Sequence, residues 1–326
     1  MIKTVDWDTR IGRRVRLRDL HILLTVVQRG SMAKAAAHLG ISQPAVSEAI
    51  ADLEAALGVR LLDRNRRGIE PTACGASMLK RGHAVFDELR QGIKEIESLT
   101  DPTAGDVRIA CPESIAAGFL APVLERLSLK YPRLTLHVAQ TNTPTLEFPE
   151  LQTREVDLVL ARLAKPPSEG SLTKNLKAEV LFNDRLCLAA AVRSQWARRR
   201  KISLAELVNE PWIIMPLDAP GGVSFVDLFR LNGLKVPNAS VTTFSIHLRT
   251  RLATAGRFIT ALPESVLRFY AEPSSLRVLP IELPLPKWPV AIVTLENRSV
   301  NPAARLFIEC AREVAKSSTV PYLRRS

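Results

Sequence analysis

Between residues 31 and 58 the chain has room for two helices joined by a turn of about three residues, and that turn constrains the fold more than any other feature. Ser31 precedes an alanine-rich stretch, Met32 to Leu39, that Gly40 interrupts. Ser42 then opens a second helical stretch in which Val46, Ile50, Leu53 and Leu57 share one face before Gly58. Serine caps helix N-termini, Pro44 sits in a first turn where no amide bond is lost, and a glycine following a helix takes the left-handed conformation. Helices joined this tightly cross at close range. The crossing needs a small residue at the contact, glycine at the turn and a branched apolar residue beyond, and Ala36, Gly40 and Val46 supply them in that order. A preceding amphipathic helix through Leu17, Leu20, Leu23, Leu24 and Val27 completes a helix-turn-helix unit of the DNA-binding kind, whose last helix enters the major groove.

The exposed start of that last helix carries Ser42, Gln43, Pro44, Ser47 and Glu48. Gln43 suits a bidentate pair with adenine, Ser47 a base edge or phosphate, and Pro44 a thymine methyl. Past Gly58, residues 59–72 read as two short strands around a basic turn, a wing whose Arg64, Arg66 and Arg67 face the phosphate backbone. Charge agrees: of a net +12, residues 10–81 hold 13 Lys and Arg against 6 Asp and Glu, so the polyanion belongs at this end. The downstream run Arg198-Arg199-Arg200-Lys201 reads as a solvated face.

From Thr72 to about Leu99 a helix continues with Leu79, Phe86, Leu89, Ile93 and Ile96 on a heptad seam. It would be roughly 40 Å long at 1.5 Å per residue, with a stripe too narrow to fold on a small domain alone, so it calls for a partner helix. Asp101-Pro102-Thr103-Ala104-Gly105 breaks it. Beyond, strands and helices alternate, which predicts an α/β region with a largely parallel sheet. A first set of strands lies before Lys165-Pro166-Pro167. A second begins near Ala178–Phe182 and runs to Phe258–Leu262, and the chain returns to the first set near Pro263.

Several classes are excluded. The longest apolar stretch, Ile115 to Leu124, contains Gly118 and Pro122 and is far shorter than the roughly 18 residues of a spanning helix. The charged N-terminus has no export signal, so no membrane partner and a cytoplasmic location are expected. Cys74, Cys111, Cys187 and Cys310 lie too far apart for a zinc pair or a disulfide framework. His21, His38, His83, His137 and His247 form no H-E-x-x-H, and no phosphate loop, nucleophile elbow or dinucleotide fingerprint occurs. No catalytic residue, metal or cofactor is expected. Two other readings stay open: a nucleoid-type protein binding DNA without sequence preference or effector, and a small-molecule-binding α/β protein with an accessory helical domain.

The ordered run Met32-Ala33-Lys34-Ala35-Ala36, Ile41 to Ser47, Leu53-Glu54, Leu57-Gly58, Leu61-Leu62-Asp63-Arg64 and Glu70 to Gly75 resembles the LysR-type transcriptional regulators. Leu62 stands where that family commonly has phenylalanine. Glu48 stands where a basic residue is frequent, and it suits a cytosine amino group instead. The resemblance implies a winged helix-turn-helix domain over 10–71, a dimerising linker helix over 72–100 and, over 101–326, a two-lobed α/β effector domain similar to periplasmic binding proteins. Lobe I would span about 105–165 and 266–326, lobe II about 168–265. The implied partners are promoter DNA, a second copy of the chain with two dimers forming a tetramer, RNA polymerase and a small effector between the lobes. Effector positions carried over are Pro112, Glu113, Ser114, Thr141, Asn142, Thr143, Arg162, Met215 and Ser245, with Arg162 as countercharge to a carboxylate unless Glu113 neutralises it.

Overall fold

The computed structural model describes residues 14–65, 68–101, 103–141, 147–163, 175–269 and 275–317. The chain divides into two compact units at Ile93/Lys94. In the first, α1 (Leu17–Arg29), α2 (Met32–Leu39) and α3 (Gln43–Leu57) surround a core of Leu20, Leu23, Val26, Ala35, Ala36, Val46, Ile50 and Leu53. Gly40 turns between α2 and α3 at φ 66°, a conformation closed to most side chains, and Ile41 N–H donates to the Ala36 carbonyl at 3.1 Å. Ser42 caps α3, its Oγ accepting from Ala45 N–H at 3.3 Å. Ser31 occupies the N-cap position of α2 but makes no capping hydrogen bond with its side chain.

The expected wing strands are β1 (Leu62–Asn65) and β2 (Gly68–Pro71), paired antiparallel. Helix α4 (Ala73–Thr100) follows directly, and its seam divides in two. Leu79 and Phe86 are half-buried against the core of their own unit, and Gly82 lies so close to Leu20 that an added Cβ would sit 3.0 Å from it. Leu89, Ile93, Ile96 and Leu99 are 47, 58, 66 and 85% exposed. The expectation of one continuous intermolecular seam is therefore corrected: its first two positions serve intrachain packing, because the start of α4 lies against α1.

The second unit holds two five-stranded sheets. The first has the order β4-β3-β5-β12-β6, built from β3 (Ala104–Cys111), β4 (Arg133–Gln140), β5 (Leu158–Arg162), β6 (Leu176–Asp184) and β12 (Trp288–Leu295). The second has the order β11-β7-β10-β8-β9, from β7 (Leu186–Ala191), β8 (Trp212–Ile214), β9 (Ala239–Thr242), β10 (Ile259–Pro263) and β11 (Leu276–Val278). After β3 the chain winds through Glu113–Ile115 and a π-turn, Ala116–Leu120, into α5 (Ala121–Lys130), and α6 (Pro149–Gln152) precedes β5. Along β3 the two-residue period sends Val107, Ile109 and Cys111 to a core shared with α5 and α10 (Pro302–Ser317), and Ala110 to the opposite face. In the second sheet Leu186, Leu188 and Ala190 meet α7 (Pro220–Leu231). Cys187 and Ala189 meet α8 (Ile246–Thr254) and α9 (Glu264–Phe269).

Two expectations are corrected here. The sheets are mixed rather than largely parallel: β3 runs parallel to β4 and β5, but β12 is antiparallel to β5 and β6, and β7 is antiparallel to β10 and β11. Strand β6, expected in the second set, completes the first sheet, and the chain returns after β11 rather than near Pro263. Lobe I therefore runs to Asp184 and resumes at Trp288. The physical reason is that an edge strand with a half-buried pattern fits either sheet by its sequence; only its pairing with β12 decides.

Candidate functional site: a reading helix and an interlobe cleft

The reading helix presents Ser42, Gln43, Pro44 and Glu48 as exposed residues. Ser47 departs from expectation: it is half-buried, and its hydroxyl lies 3.2 Å from the Met32 sulfur, so it braces α3 on α2. Glu54, part of the family pattern quoted above, has a role that its position alone does not reveal. Its Oε1 accepts from Leu61 N–H at 2.6 Å and Leu62 N–H at 3.2 Å, fastening the first wing strand to the reading helix. Thr72 secures the other side, its Oγ1 donating to the Arg60 carbonyl at 2.8 Å while its N–H donates to the Leu61 carbonyl at 2.9 Å. Gly75 is required at the same junction, since a Cβ there would fall 2.0 Å from the Leu61 oxygen. Arg66 and Arg67 lie outside the described residues, between the strands that Arg64 helps to build.

In the second unit the described residues among the expected effector positions lie at or just beyond strand ends. Ser114 follows β3, and its Oγ lies 2.9 Å from Nη1 of Arg162 at the end of β5. Arg162 does not stand free as an anion's countercharge. Its Nη2 donates at 2.8 Å to Asp184 Oδ2, and that carboxylate is 1% exposed. Glu113 does not meet Arg162 either; its Oε1 accepts, at 3.5 Å, from His247 N–H at the start of α8. Thr141 is spent on structure, its amide on the Cys111 carbonyl and its hydroxyl on Glu150. Ser245 caps α8, accepting from Leu248 N–H at 3.2 Å. Met215 is packed against Gly221 at the start of α7, and Pro112 forms the extended N-cap of the helical turn that carries Glu113. Asn142 and Thr143 lie outside the described residues. Phe119 is fully buried, its ring packed against those of Phe182 and Phe269.

The residue that organises this region is Asp184, which has no sequence signature because its partners are remote. It ends β6, with Arg185 alone between it and the start of β7 in the other sheet. Oδ1 accepts from the amides of Arg185 (3.0 Å) and Ser265 (3.1 Å), and Oδ2 accepts from Arg162 and from the Ser265 hydroxyl at 2.6 Å. Arg185 then pairs with Glu264 at 2.7 Å. The crossover is thus a carboxylate with its lone pairs used, tying the end of β5 to the start of α9.

The cysteines are placed for packing. Burial pushes the Cys111 and Cys187 thiols up to about 12 and raises that of Cys310. A protonated, buried thiol is a poor nucleophile and a poor redox sensor. Cys74 is exposed. With a thiol reagent, the native protein is expected to modify Cys74 alone, with Cys111, Cys187 and Cys310 reacting only after denaturation; rapid native labelling at Cys111 would contradict this packing. Among the described residues no cluster of His, Cys, Asp or Glu is arranged to hold a metal ion. None of their helices is long and apolar enough to cross a membrane.

Comparison with known proteins identifies both units. Residues 17–76 match the bacterial regulatory helix-turn-helix protein, lysR family, and residues 100–316 match the LysR substrate binding domain. The regulator YdcI of Escherichia coli is 25% identical across 95% of this chain and 99% of its own length. The transcriptional dual regulator GltC of Bacillus subtilis is 28% identical across 90% and 96%. Among solved structures, a full-length OxyR variant from Pseudomonas aeruginosa superposes with a TM-score of 0.64 at 19% identity, covering 91% of this chain and 97% of that one. CbnR in complex with its target DNA superposes with a TM-score of 0.60 at 20% identity, covering 92% and 100%. A capped reading helix with an exposed start, a wing tied to it and a domain of two α/β sheets agree with that family. The chain belongs to the LysR family of DNA-binding transcriptional regulators, with an effector-binding domain.

Proposed function

We propose that this regulator reads promoter DNA through Gln43, Pro44 and Glu48, is positioned on the duplex by Ser42 and the wing arginines Arg64, Arg66 and Arg67, with Ser47 bracing the reading helix from behind, and answers a small effector bound between its lobes. The observation that carries this reading is the exposed, capped start of α3, with Gln43 and Pro44 free of intrachain duties while Val46 one turn along is fully buried. Two copies assemble through the exposed half of α4, two such dimers form a tetramer, and the complex works in the cytoplasm beside RNA polymerase. The cleft residues Pro112, Glu113, Ser114, Thr141, Asn142, Thr143, Met215 and Ser245 surround the effector, and Arg162 positions Ser114 while itself neutralised by Asp184.

The test is to map the DNA that the purified protein protects around its own coding region, at one stated salt concentration, with candidate metabolites added in turn. Gln43→Ala is expected to weaken specific binding by about 1–3 kcal/mol and to relax one position of the site, leaving affinity for random DNA unchanged. Equal protection of random and promoter DNA would favour a nucleoid-type role instead.

A further inference from the structure

Arg249 is the unusual charge of the second lobe. It is 3% exposed on α8, its side chain donates to the Ala261 carbonyl, and its Nε has no partner among the described residues. No carboxylate forms an ion pair with it among the described residues. Burial pushes its guanidinium down to about 10, and the opposing influence is Glu113, reaching across from the other lobe. A buried guanidinium is costly unless an anion completes it.

The same Glu113 carboxylate rests on the start of α8. The first amides of a helix have no partners within it; here Leu248 N–H is taken by Ser245, and His247 N–H points to Glu113 Oε1 over a long 3.5 Å. Arg249 follows one turn later, and helical side chains lean toward the N-terminus, so its charge and the amide ends add on the same side. Phe244 and Leu248, 50% and 41% exposed, flank the cap with apolar surface that the fold leaves uncovered. The elements of a carboxylate site are thus present, filled loosely by a carboxylate of the chain itself.

We propose that the start of α8, with Arg249 behind it, is the anion-binding half of the effector cleft. Glu113 holds it as an internal stand-in, and the effector is a small carboxylate with an apolar body that displaces Glu113. This rests on reading the cleft as the effector site, and it moves the recognising cation from Arg162 to the opposite lobe. Displacement also gives the signal a physical form: Glu113 belongs to the first lobe and α8 to the second, so a ligand that takes the site releases one interlobe contact and makes another.

Calorimetric titration of the full-length protein tests this with formate, acetate and phenylacetate, against the uncharged phenylacetamide. Glu113→Gln removes the internal competitor while keeping its shape, so phenylacetate is expected to bind about tenfold more tightly than to wild type, within the range of typical couplings. Phenylacetamide is expected to gain nothing. In the double variant Glu113→Gln/Arg249→Met the gain is expected to vanish; circular dichroism checks its fold, and the single variant stands as a test without it. Equal or weaker carboxylate binding by Glu113→Gln, or no binding of any of the three carboxylates, overturns the proposal. The DNA protected by Glu113→Gln without ligand is mapped in parallel. Wild-type protection in that assay confines a failure to the chemistry of the cleft, whereas loss of protection by the wild-type protein itself would sink the regulatory reading.

Discussion

Asp184→Ala is expected to destabilise the effector-binding unit by roughly 3–5 kcal/mol, the cost of stranding one member of a buried ion pair. The carboxylate is 1% exposed and Arg162 15%, so water cannot replace what is lost. Removal also orphans the Ser265 amide and hydroxyl and the Arg185 amide at the crossover. Asp184→Asn keeps an acceptor for the amides but not the charge opposite Arg162, and is expected to fall between Ala and wild type. Denaturant unfolding followed by tryptophan fluorescence reads the loss, because Trp196, Trp212 and Trp288 all lie in this unit. A change below about 1 kcal/mol in Asp184→Ala would show that the crossover is held by packing rather than by this carboxylate.

How much of this was legible before the structure depends on the range over which each residue finds its partners. The helix-turn-helix is local: Ala36, Gly40, Ser42 and Val46 meet within one turn, and their spacing alone dictates the geometry that α2 and α3 adopt. Ser47 shows the limit of such reasoning. Its helical position faces outward, but the proximity of Met32 on the neighbouring helix draws its hydroxyl in, and no periodicity within α3 reports that. The sheet assignments failed for a related reason. The alternation in β6 predicts a strand, yet its pairing with β12 joins residues more than a hundred positions apart. Arg162 is legible as a strand-end cation, but its charge is misjudged from sequence because Asp184 arrives from another strand. Arg249 was missed despite a visible signal: it sits three residues after Ile246 and four before Ala253, on a face that is otherwise apolar or small.

The linker helix carries the prediction with the largest consequence for function. Ile93→Asp is expected to leave each chain folded, to split the dimer and to weaken binding to a two-half-site DNA by about a hundredfold or more, since each half-site alone forfeits the gain of linked binding. The fold survives because Ile93 is 58% exposed and belongs to none of the buried clusters. A helix of 28 residues whose second half offers Leu89, Ile93, Ile96 and Leu99 to solvent has an apolar stripe that only another surface can cover. Phe86 makes the contrast. On sequence spacing it belongs to the same seam, but it packs on the core of its own unit with its ring 5.4 Å from that of His21, so Phe86→Asp is expected to unfold the DNA-binding unit rather than simply dissociate it. Sedimentation of the two variants, with circular dichroism on each, separates these outcomes. An Ile93→Asp protein that is folded and sediments as wild type would assign assembly to some other surface, and the exposed half of α4 would then need a different partner.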